Sequence, residues 1–157
     1  MQERKQPDRM SPEKQLANFM SRFTPEVAGL GRAVLSRMRS RFPGAIQMVY
    51  DNYNFFVIGF GPTERPSEAI FSIAMSKRGV SLCFLQAGPK SPDPKKLLKG
   101  SGKQARHLPL ESADALEEPA IRALMSEAQK LAVVPFDPRA EGALIIKSVS
   151  AKQRPRK

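Results

Sequence analysis

The spacing of apolar residues in this chain first changes at Pro43-Gly44, and no other feature constrains the fold as much. Before it the period is helical. Ser11-Pro12-Glu13 opens a helix, because Ser caps, Pro fits the first turn and Glu faces the positive helix end. Leu16, Phe19, Met20 and Phe23 then recur as one apolar stripe. Thr24-Pro25-Glu26 repeats the start signal, and Val27, Leu30, Val34 and Met38 form the stripe of a second helix that Pro43-Gly44 stops. Arg32, Arg37 and Arg39 fall away from that stripe and read as a solvated face.

After Pro43-Gly44 the residues are β-branched and aromatic. Ile46–Tyr50 and Tyr53–Phe60 read as strands around the turn-prone pair Asp51-Asn52. Ala69–Met75 and Val80–Leu85, joined by Ser76-Lys77-Arg78-Gly79, form the strongest hairpin signal. Cys83, within the second of these strands, reads as a small core residue. Asp93-Pro94 starts a short helix over Lys95–Lys99 with Gly100 as its cap, and Arg106–Leu110 reads as another strand. Glu118-Pro119 opens a last helix with the stripe Ile121, Leu124, Met125, Ala128 and Leu131, and Ala143–Val149 reads as a last edge strand or extended segment. This order predicts an α+β fold, a mainly antiparallel sheet with helices packed on one face.

The 157 residues suit one domain, expected over 11–146. Residues 1–10 read as a flexible arm. Residues 147–157, KSVSAKQRPRK, hold five Lys/Arg and no acid, and read as a disordered basic tail that carries nearly half of the +11 net charge. One His and one Cys exclude a Cys/His zinc site, a disulfide framework and a CxxC redox pair. The polar start MQERKQPDRM shows no secretory signal, and no apolar run approaches a membrane span. The expected setting is a reducing one, the cytoplasm, with no membrane partner. The sequence leaves the oligomeric state open.

The stretch from Val49-Tyr50 through the hairpin, then GSGKQARHLPLES from Gly100, then Pro119 and AIRALMSEAQKLA, resembles the YdhG-like family, a domain of unknown function also numbered 1801. The resemblance covers about residues 13–132 and rests on order and spacing. It implies a compact domain with a sheet backed by helices and no settled chemistry. Some members carry an iron-chaperone label by analogy with frataxin. Such a site needs a carboxylate-rich surface, because iron prefers oxygen ligands. Here the only dense acids are Glu111, Asp114, Glu117 and Glu118, of which Glu117 and Glu118 read as helix-start charges, so the basic composition disfavours that role.

Chemistry-bearing residues are few. Gly100-Ser101-Gly102-Lys103 is not a P-loop, because Leu97 stands where the first Gly belongs and Gln104 where the hydroxyl belongs. Its Gly-rich backbone and its neighbours Lys95, Lys96, Lys99, Lys103 and Arg106, with no acid among them, suggest an anion-binding surface that includes Gly102. His107 is the one proton-transfer group in the neutral range, and a pocket around Tyr50, Tyr53 and His107 would serve an enzyme. No catalytic triad, paired-carboxylate or metal motif is present, so no catalytic residue, metal or cofactor is assigned. The first expectation is a non-enzymatic binding module for an anionic ligand or acidic partner at Lys95–Arg106. The alternative is nonspecific nucleic-acid association through that surface and the basic tail.

Overall fold

The computed structural model describes residues 10–157, so the arm expected over 1–10 lies outside the described residues but for Met10, which is exposed. Two helices come first, α1 (Pro12–Met20) and α2 (Pro25–Arg41). The Ser11 and Thr24 hydroxyls accept from the backbone N–H groups of Lys14 and Val27, as the start signals require. Strands β1 (Ile46–Asp51), β2 (Phe56–Gly61), β3 (Phe71–Ser76), β4 (Gly79–Phe84) and β5 (Arg106–Leu110) follow, then α3 (Pro119–Lys130) and β6 (Ala143–Val149). The sheet order is β5-β4-β3-β2-β1-β6, antiparallel throughout except for the parallel β1–β6 pair. The α+β fold with a mainly antiparallel sheet is what the change of period demands.

Alternation puts Val49, Phe56, Ile58, Phe60, Phe71, Ile73, Met75, Leu82 and Phe84 on the helix side, where all are buried. The face α2 presents is smaller than the stripe expected from its large residues. Ala28, Gly31, Val34, Leu35 and Met38 are buried, whereas Val27 and Leu30 are only partly so. Gly31 explains the close approach. A Cβ there would lie 2.5 Å from the Met75 methyl carbon, so the sheet presses against bare helix backbone.

Three local expectations are corrected. Residues 95–99 form no helix. The Asp93 carboxylate accepts from the N–H groups of Leu97 (2.9 Å) and Leu98 (2.8 Å), and Lys96 takes a left-handed φ of 54°, so the segment closes as a turn. On α2 Arg32 is exposed, as expected of a solvated face, but Arg37 and Arg39 are not simply solvated. Arg39 donates to Gln47 and Glu13, Arg37 to Asp114, and Arg41 to Glu117. Residues 147–157 are ordered. Lys147–Val149 belong to β6, and Arg156 is 7 % exposed. Its guanidinium donates to Asp51 Oδ1 (2.9 Å) and to the Asn52 carbonyl (2.7 Å), and lies 5.6 Å from the Phe23 ring centre. A block of like charge orders here because a buried carboxylate and free carbonyls wait for it.

Candidate functional site

The helices leave the other face of the sheet uncovered in part. On it, one row across the strands runs Tyr50, Val57, Ala74, Ser81, Pro109, and the next runs Met48, Gly59, Ser72, Cys83, His107. The loop after β2 reaches over the Met48 end, where Ala69 lies against Gly59 and Gly61. Toward β4 and β5 nothing among the described residues covers the face. Small side chains along its middle and larger ones at its margins (Phe55, Leu85, Arg106, His107) make a trough of about 940 Å³.

Cys83 and His107 face each other in register across β4 and β5. The backbone of His107 exchanges both its hydrogen bonds with Lys99 on the outer side, N–H to O at 2.9 Å and O to N–H at 2.8 Å. The Cys83–His107 pair is therefore a non-hydrogen-bonded one, in which side chains stand close. Burial nevertheless pushes the Cys83 thiol up, with a Ser72 hydrogen bond opposing it in part. A nucleophilic cysteine needs the reverse shift. The exposed His107 ring makes no hydrogen bond to a described side chain that would orient it.

The expected pocket around Tyr50, Tyr53 and His107 does not form. Tyr50 is on β1 and His107 on β5, four strand spacings apart, or about 19 Å. Burial pushes the Tyr50 phenol up, away from any role as a base. Tyr53 lies in the β1–β2 turn with the Arg154 guanidinium 5.4 Å from its ring centre.

The basic segment divides into two kinds of residue. Gly102 and Arg106 serve the loop itself, because the Arg106 guanidinium donates to the carbonyls of Gly102 (2.6 Å) and Ala105 (2.8 Å). Those carbonyls point at a cation rather than leaving a cradle of N–H groups for an anion. Lys95, Lys96, Lys99 and Lys103 are different. All four are exposed, and none makes an ion pair among the described residues. The lobe that carries them adjoins the trough through Ala105, Arg106 and His107.

Of the acids read as helix-start charges, Glu118 stands at the N-cap of α3, while Glu117 is also tied to arginines, as is its neighbour Asp114. Glu117 accepts from Arg41 (3.0 Å) and Arg122 (2.7 Å), and Asp114 pairs with Arg37. The guanidinium of Arg37 is held further in its charged form by that partner. Among the described residues, no three His, Cys, Asp or Glu side chains cluster as a metal site would need, and no helix is long and apolar enough to cross a membrane. Comparison with family models, with curated proteins and with solved structures finds no match to this chain.

Sequence reasoning missed the Asp51–Arg156 pair and the uncovered trough. The first had no signal, since its partners are separated by more than a hundred positions. The second had one, in the alternate small residues Ser72, Ala74 and Ser76 of one strand and Ser81 of the next.

Proposed function

We propose that this chain is a non-enzymatic binding module that holds an anionic ligand or acidic partner against Lys95, Lys96, Lys99 and Lys103, with Arg106 bracing the loop from within. The observation that carries this reading is a contrast of charge. The arginines at 37, 39 and 41 are spent on Asp114, Glu13 and Glu117. The four lysines are clustered, exposed and unspent. Cations without internal partners gain most from an external anion and set up a local field that attracts one. The reading keeps the resemblance to the YdhG-like family and a cytoplasmic setting as parts of the same proposal. A second reading, nonspecific association with nucleic acid, draws on the same lysines, but the tail contributes less to it than its composition suggests, because Arg156 is already paired with Asp51.

The test uses a linear polyphosphate and a polyglutamate peptide as probes in titration calorimetry at low salt. Exposed charge pairs contribute about 0.2–1 kcal/mol each, so changing all four lysines to Ser is expected to weaken binding about tenfold or more. Arg32→Ser, which removes an exposed cation on α2, is expected to leave affinity nearly unchanged. Equal losses per charge removed in the two variants would mean that net charge, not this lobe, does the binding, and would overturn the reading.

A further inference from the structure

A second site, built from other residues, lies where two turns and the chain's last residues meet. Phe55 stands just before β2 on the uncovered face and is 49 % exposed. Beside it is the tight turn of the β3–β4 hairpin, whose Lys77 and Arg78 are both exposed. Arg154 closes the third side. Its backbone N–H donates to the Tyr53 carbonyl (2.8 Å) and its Nε to Asn54 Oδ1 (2.7 Å), which fixes the guanidinium while leaving its other N–H groups unused among the described residues. These groups line a cavity of about 310 Å³ that contains no carboxylate. Phe55, Ser76 and Arg78 line the trough as well, so cavity and trough are continuous toward His107. Glu111, among the residues lining the trough, is the one acid and lies just beyond β5.

We propose that Phe55 is a stacking platform for a nucleobase, with Lys77, Arg78 and Arg154 holding the flanking phosphates, so that this end of the trough takes single-stranded nucleic acid. The juxtaposition of an open aromatic face with three cations is what separates a nucleotide chain from other anions. An acidic peptide satisfies the cations and leaves the ring in water. A splayed base covers the ring while its phosphates meet the cations. A duplex hides its base faces, so it offers the cations phosphates but gives the ring nothing to stack on. The site does not depend on the lysine lobe, so either can fail without the other.

The chain has no Trp, so Phe55→Trp creates a single fluorescent reporter that retains stacking. An oligothymidylate of about twelve nucleotides is expected to quench that Trp on binding, whereas an abasic strand of equal length and polyglutamate are expected not to. In anisotropy titrations with the full chain, Phe55→Leu is expected to weaken oligothymidylate binding about tenfold and to leave abasic-strand binding unchanged. Lys77→Ser with Arg78→Ser is expected to weaken both. Absence of binding, binding without quenching, or equal losses on the base-bearing and abasic strands would each overturn the proposal. Quenching by polyglutamate would do so as well, and would assign the cavity to an acidic peptide.

Discussion

Asp51 is the one buried carboxylate among the described residues, and it joins three parts of the chain. Arg22, just after α1, reaches its Oδ2 (3.3 Å), and Arg156 reaches its Oδ1 from the far end. The backbone carbonyl of the same residue accepts from the Ser150 N–H (2.9 Å). Removing one member of a buried pair strands the other charge without water, at a cost of about 3–5 kcal/mol. Asp51→Asn is therefore expected to lower stability by about 3 kcal/mol, read as a fall in the urea midpoint with an unchanged slope. A midpoint close to that of the parent chain would show that Arg156 does not need this partner. In the sequence Asp51 was visible only as half of a turn-prone pair, because local propensity reports the backbone of a residue and nothing of a partner brought to it by the fold. Cys83 is a different case. It reads as a small core residue from its apolar neighbours, whereas it is half-buried on the face away from the helices and lines the trough; the burial that pushes its thiol up still separates it from a nucleophile. The folded state holds that proton more tightly than the unfolded state does. The resulting stability is complete below the ordinary thiol value and is lost as pH rises through the folded one. Alkylation of Cys83 by iodoacetamide is expected to reach half its maximal rate at a higher pH than for glutathione. An earlier midpoint would mean an activated thiol and would reopen the case for nucleophilic chemistry.

At the scale of elements, legibility followed the range of the forces involved. Both helix starts and the β3–β4 hairpin were readable because a cap and a two-residue turn are set by neighbours. Pro119–Lys130 was readable from its N-terminal proline and apolar stripe, and Arg106–Leu110 from its residue types. The 95–99 segment was not, because the same Asp93 that can cap a helix also closes a turn by accepting from Leu97 and Leu98. β6 was legible as an edge strand, while its parallel register beside β1 and the ordered residues beyond it were not. That register begins just after Gly142, whose φ of +78° suits glycine and whose missing Cβ would stand 2.8 Å from the Pro43 carbonyl. Gly142→Ala is expected to cost about 1–3 kcal/mol through strain and the clash. Amide hydrogen exchange is expected to localise the loss to Leu144–Ile146, and unchanged protection there would contradict the way this strand docks.

Over the whole molecule, the +11 charge separates into cations that the fold uses and cations that it leaves. Arg37, Arg39, Arg41 and Arg156 are tied to Asp114, Glu13, Glu117 and Asp51. The lysines of the 95–103 lobe have no such partners among the described residues, and the sequence marked that segment correctly as basic without showing which of its cations were free. Gly102 and Arg106, counted with the lysines in the sequence, belong to the internal group once the loop is seen to close on the guanidinium. Since the lysines displace counterions when they meet a linear polyanion, the dependence of affinity on salt counts the contacts they make. The most direct measurement is the slope of log affinity for linear polyphosphate against log salt, in the parent chain and in the variant with Lys95, Lys96, Lys99 and Lys103 changed to Ser. The slope is expected to become shallower by about three in the variant. An unchanged slope would place the anion elsewhere on the molecule and contradict the assignment of the binding surface.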